Sequence, residues 1–163
     1  MKSIKLISIL LFILNLNGSV YFKQIVIKDI NNQNTKIEGY YMIINIPKIN
    51  LYKDINRIDS IYNNVDYGIE LLYKKDNLII LASHRGNSHI AYFNNLHKLK
   101  NNDVVKLYVD NKWKEYKVIN KYYIEKTGNA IIKQNSEKDT LALITCVKDQ
   151  PKLQVVYICV SNN

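Results

Sequence analysis

Glycine and proline are scarce, at 5 and 2 of 163 residues, which argues against long flexible linkers and for one compact unit. Cysteine is too rare for a disulfide scaffold of this size. Cys146 and Cys159 stand alone, in no CxxC or other metal-like spacing. One functional thiol and one core residue is the reading that fits them. Arginine occurs only at Arg57 and Arg85, so scattered lysines carry the formal net charge of +9. No arginine-rich tract or aromatic nucleic-acid motif accompanies them. The basic excess therefore reads as a solvated face, and no nucleic-acid partner is expected. Such a face also suits work beside an anionic envelope.

Long apolar runs are equally rare. One lies near the start, Leu6 to Leu14 broken only by Ser8, behind Lys2 and Lys5 in a flank without acids. Ile4 to Phe22 approaches the length needed to span a bilayer, about 17–25 residues. An uncleaved anchor fits this segment. So does a secretory signal cut near Gly18-Ser19. With the positive flank inside, either reading exports the remainder of the chain. Residues 1–22 are thus expected to be a signal or membrane-anchor helix and 23–38 a stalk of mixed polarity. Residues 39–163 are expected to be the folded domain, held by a single span on the outer side of the cell membrane.

From Gly39 onward the pattern is mostly strands. Tyr40 to Ile46 is rich in β-formers and stops at Pro47, which cannot donate a ladder hydrogen bond. Leu78 to Ala82 is a continuous apolar run, as a strand buried on both faces requires, and Thr140 to Thr145 is another buried run. Val104 to Val109 and Tyr116 to Ile124 alternate, with Asp110-Asn111-Lys112 as a hairpin turn between them. Val155 to Val160 forms the last strand. The spacing of Ile90, Phe93, Leu96 and Leu99 predicts a short helix with one apolar face. Gly128 to Ile132 suggests a further turn. Seven or eight short strands with one or two short helices predict an all-β fold, a small closed barrel.

Two strands end in reactive residues. LIILASHRG places His84 just past a buried strand, and TLALITC places Cys146 at the end of another. Strand ends of a rigid scaffold are where open loops present chemistry. A thiol attacks only as thiolate, and a neighbouring imidazole can take its proton. Such partners meet in space, so their separation along the chain is no obstacle.

Four segments, in order, resemble the sortase family. GYYMIINIPKINL is similar to its first strand, with the I-P-K-I core at Ile46, Pro47, Lys48 and Ile49. LIILASHRGNSHIAYFNNLHKLKNNDVVKL is similar to its histidine strand and Y-F-x-x-L helix, here His84, Tyr92, Phe93 and Leu96. KTGNAIIKQ resembles the connector before the nucleophile strand. TLALITC resembles the nucleophile signature at Thr140, Leu141, Thr145 and Cys146. The resemblance covers residues 39–163. It implies a closed eight-stranded sortase-like β-barrel and a cysteine transpeptidase of the bacterial cell surface.

On that resemblance, Cys146 attacks the carbonyl after the Thr of an LPXTG-like sorting-signal peptide and forms an acyl-enzyme. An amine nucleophile, expected on a peptidoglycan precursor, then takes the acyl group. His84 gives a proton to the leaving amine and accepts one from the incoming amine. No cofactor and no metal is implied. Glu125, Glu137 and Asp139 lie near the loop where some sortases bind calcium, but three acids in a basic chain are not read as a site. Cys159 is read as packing, and His89 and His97 as exposed. Anchoring of surface proteins is expected rather than pilus polymerisation.

The sequence departs from the family at its arginine. No arginine lies on the last strand, which reads PKLQVVYICV. Gln154 falls at or beside that position as a neutral amide donor. Lys152, two residues earlier, shares its strand parity as a point charge. Arg85 is a third candidate, and the remaining case is that nothing replaces the arginine and activity is impaired or lost. Thr145 is expected either to bond substrate in the groove or to support the strand.

Overall fold

The computed structural model describes residues 22–27 and 42–162. Residues 1–21 of the expected anchor and 28–38 of the expected stalk lie outside these. Within the stalk and at the end of the anchor, Phe22–Ile27 forms a strand, β1.

The domain is built from short strands joined by residues that tolerate tight backbone. β2 (Met42–Ile46) ends at Pro47, which opens a 3₁₀ turn over Pro47–Ile49. Asn50 then takes a left-handed φ of 53° and donates its N–H to Pro47 O, and β3 (Leu51–Ile55) returns antiparallel. The I-P-K-I segment is therefore the hinge of a hairpin. β4 (Glu70–Lys75) and β5 (Leu78–Ala82) form a second hairpin across Asp76-Asn77. β6 (Val104–Val109) and β7 (Lys112–Glu125) form a third. Its turn is Asp110-Asn111 alone, both at positive φ (52° and 61°), the left-handed pair that matches the strand twist. Lys112 belongs to the strand, opposite Val109, and not to the expected three-residue turn. β8 (Ala130–Asn135), β9 (Thr140–Val147) and β10 (Gln150–Ser161) complete the chain. Ala130–Ile132 is thus strand, where a short turn was expected.

Eight strands form one sheet in the order β3-β2-β6-β7-β10-β9-β5-β4. All neighbours are antiparallel except β5 and β9, which run parallel in the centre of the apolar mass. Residues from both ends of this order, such as Leu51 of β3 and Leu71 of β4, share one inner core with Leu81, Leu107, Leu143 and Tyr157. The sheet is therefore curled around that core. It is not closed by a ladder as expected, since β3 and β4 are its two edges. The backbone of Leu71 at the β4 edge is taken by the side chain of Asn63, which accepts from its N–H (2.8 Å) and donates to its carbonyl (3.0 Å).

A second, smaller cluster lies on the outer face. Leu78, Ile80, Ala142, Ile144, Val156 and Ile158 are covered there by Ile132 of β8. β8 also pairs antiparallel with β1. Tyr122 pins β8 to the sheet: its hydroxyl donates to Ile131 O (2.8 Å) and accepts from Lys133 N (3.1 Å). Two clusters explain the unbroken apolar runs of β5 and β9, whose alternate residues face different cores.

The expected helix over 90–99 is a series of turns closing in a 3₁₀ turn at Leu96–Lys98. Its hydrogen bonds run from N–H to the third residue back, as from Leu96 N to Phe93 O and Leu99 N to Leu96 O. The apolar spacing is strictly three, and in 3₁₀ geometry such residues eclipse on one side. Phe93, Leu96 and Leu99 are accordingly buried. Among the described residues no helix is long and apolar enough to cross a membrane.

Candidate active site

The parallel pair sets the site. Register runs from Leu78 opposite Thr140 to Ala82 opposite Ile144. Beyond it, Ser83 donates its N–H to Ile144 O (3.3 Å), and Thr145 Oγ1 donates to Ser83 O (2.9 Å). Continuing the same offset sets His84 beside Cys146. Thr145 and Ser83 are buried, so this hydroxyl fixes the backbone immediately before His84.

Strand alternation then sorts the residues by face. Leu141, Leu143, Val155 and Tyr157 enter the inner core, whereas Ala142, Ile144, Val156 and Ile158 enter the outer cluster. Cys146 and Gln154 have the parity of the outer set and are direct cross-strand partners in the β9–β10 ladder. Cys146 and Gln154 thus form a row across β9 and β10, and the continued register sets the His84 backbone, two residues past the end of β5, beside it. Cys146 and Gln154 are half-buried. β8 lies over the outer cluster through Ile132.

Lys152 is not in the row. The β9–β10 register jumps from Gln150 opposite Val147 to Gln154 opposite Cys146, leaving Pro151, Lys152 and Leu153 bulged without a β9 partner. Lys152 is exposed, and its carbonyl accepts from Lys126 N (2.7 Å). The bulge removes the simple parity that would have aligned Lys152 with Gln154. Arg85 follows His84, on the opposite parity. Burial pushes the Tyr157 phenol up and the nearby Tyr123 adds to this, while the positive charge of Arg85 opposes it.

The two thiols differ sharply. Cys159 is fully buried, and burial pushes its thiol up, out of reach of reaction. Cys146 is free and half-buried at the strand end. His97 is exposed and its Nδ1 contacts Asn94 O (3.0 Å), and His89 is exposed. Of the three acids considered for calcium, Asp139 is held by Lys114 (2.5 Å).

One residue escaped the sequence reading. His84 Nε2 lies 2.8 Å from Asp66 Oδ1. Asp66 stands in the loop between β3 and β4, in an Asn-rich stretch without periodicity. Nothing in the sequence pattern links it to a histidine 18 residues later.

These features agree with what the chain is similar to. A family profile described as the Sortase domain matches residues 44–160. No curated protein gives a significant match. Among solved structures, sortase C-1 from Actinomyces oris is 22% identical with a TM-score of 0.62, over 75% of this chain and 71% of that one. Sortase A from Corynebacterium diphtheriae is 19% identical with a TM-score of 0.62, over 77% of this chain and 61% of that one. Sortase C from Streptococcus pneumoniae, described for its pilin substrate specificity, is 18% identical with a TM-score of 0.61, over 74% and 65%. At this identity the likeness establishes the fold. The expected exclusion of pilus-polymerising members gains no support from it, since sortase C structures stand beside sortase A.

Proposed function

The chain belongs to the sortase family, and on that premise we propose that it is a cysteine transpeptidase acting on an LPXTG-like sorting signal. Cys146 is the nucleophile. Its thiolate attacks the carbonyl carbon after the Thr, and the C–N bond to the downstream peptide breaks. His84 supplies the proton to that leaving amine. An amine of a cell-wall precursor then attacks the thioester, gives its proton to His84 and frees the thiolate. Gln154 takes the arginine's place and donates through its amide to the developing oxyanion. Thr145 holds the backbone that carries His84. Lys152, on its bulge, is left at the rim, where it meets an extended peptide. The domain works outside the cell, tethered through the segment preceding β1.

The observation that carries this reading is the cross-strand pairing of Cys146 with Gln154, with the His84 segment in register on the other side. The test is product analysis by mass spectrometry. The full chain is incubated with an LPXTG-type peptide and triglycine beside Cys146→Ala, His84→Ala and Gln154→Ala. A transfer product lost in the first two variants supports the reading. Cleavage with no transfer would make the protein a hydrolase through the same acyl-enzyme.

A second reading has its own motive. An amide stands where the family has a guanidinium, and a neutral donor stabilises an oxyanion less well. A sortase-shaped protein that binds a sorting signal without turning it over would bind the peptide and form no adduct at Cys146.

A further inference from the structure

We infer that Asp66 is a positioning residue for His84, fixing the ring so that Nδ1 is the nitrogen that exchanges protons in the reaction. The inference rests on the transpeptidase reading for its kinetic consequence, but the ring assignment stands on the contact itself.

The contact is specific to one nitrogen: Asp66 Oδ1 lies 2.8 Å from His84 Nε2. An ionised carboxylate only accepts, so Nε2 must carry the hydrogen that it donates to Asp66. A neutral imidazole then has its lone pair on Nδ1. In the first half-reaction the Cys146 S–H proton passes to Nδ1. The ring is then protonated at both nitrogens, with Nε2–H still on Asp66. When the C–N bond of the substrate breaks, the Nδ1 proton goes to the departing amine. In the second half-reaction Nδ1 takes the proton of the attacking amine and returns it to the thiolate. Asp66 accepts from Nε2–H throughout and holds the ring at its far side.

The loop that carries Asp66 is built to keep it there. Asn64 Oδ1 accepts from Asp66 N (2.9 Å), and Asn64 O accepts from Tyr67 N (3.0 Å) and Gly68 N (3.1 Å). Glu70 Oε2 at the start of β4 accepts from Val65 N (3.2 Å). Gly68 O in turn accepts from Ser83 Oγ (3.1 Å), and Ser83 is the residue before His84. The carboxylate and the imidazole therefore hang from two backbones that are tied together one residue away from the ring. The Asp66 side chain is 73% exposed and that of His84 39%. Solvent screening limits such a pair, so the effect lies in orientation more than in charge.

The test uses the full chain labelled with ¹⁵N-histidine. The His84 ring signals are assigned by their loss in His84→Asn. The expected spectrum has a protonated Nε2 and an unprotonated Nδ1. In Asp66→Ala the two tautomers mix. In the transfer assay kcat falls roughly fivefold, the ceiling that screening leaves an exposed ion pair, with KM unchanged. Asp66→Glu restores the single tautomer and most of the rate, which a merely structural loop residue would not do. A ring protonated on Nδ1 in the unaltered protein, or tautomer and kcat both unmoved in Asp66→Ala, overturns the inference. If the unaltered protein transfers nothing, the ring spectrum still decides the Asp66 contact. The absence of a Cys146 adduct would separately sink the transpeptidase reading.

Discussion

The two ends of the central strands are built from the same kind of backbone and do opposite things. At the start of β9 a set of polar groups bond one another. Asn77 Nδ2 donates to Asn135 O (3.2 Å) and Lys138 O (3.1 Å), Gln134 bonds Asn77, and Thr140 Oγ1 accepts from Asn135 N (3.0 Å). The thiol at this end is Cys159, opposite Leu141 and fully buried. At the far end the outer cluster runs out, the β10 bulge opens the ladder, and Cys146 emerges half-buried beside Gln154. Buried polar groups that satisfy one another stiffen a fold and leave nothing to offer a substrate. The proposed chemistry is placed at the end where that network stops.

The largest expected effect separates the two cysteines. Cys146→Ala abolishes transfer in the peptide assay and leaves thermal unfolding nearly unchanged, whereas Cys159→Ala keeps transfer and lowers the unfolding temperature. Reversal of that pattern would break the contrast between the ends. Next comes Gln154→Ala, expected to lower kcat by about 10²–10³, the scale for loss of an oxyanion donor. Gln154→Arg is expected to raise kcat above that of the unaltered chain. The smallest effects sharpen the comparison most finely. Thr140→Val releases Asn135 N and Lys138 O, and Thr145→Val strands the buried Ser83 O, each change costing about 1–3 kcal/mol in denaturant unfolding. Only Thr145→Val, which releases the Ser83 carbonyl ahead of His84, should also slow transfer, on the order of tenfold or more. Equal activity in both variants would show that the open end does not depend on its buried support.

Much of this was legible in the sequence for a physical reason. Strands with two buried faces need unbroken apolar runs, so β5 and β9 announced themselves, and with them the ends that carry His84 and Cys146. The left-handed turn at Asp110-Asn111 was visible as chemistry, though its length was off by one residue. What stayed hidden was geometry without periodicity. The three-residue spacing of Ile90, Phe93, Leu96 and Leu99 satisfies a 3₁₀ turn as well as an α-helix, and composition cannot separate them. The bulge that displaces Lys152 inserts residues without marking them. β3 was obscured because its burial pattern keeps apolar residues only at Leu51 and Ile55. Asp66 reaches His84 through a loop, where side-chain hydrogen bonds and not alternation decide position.

The proposed transpeptidase stands on a covalent acyl-enzyme at Cys146. Intact-mass spectrometry of the full-length protein, mixed with an LPXTG-type peptide in the absence of an amine, tests it most directly. The expected result is an added mass equal to the acyl fragment ending at the Thr, located on Cys146, absent in Cys146→Ala and discharged when triglycine is added. A protein that binds sorting peptides across a panel and never acquires that mass would contradict it.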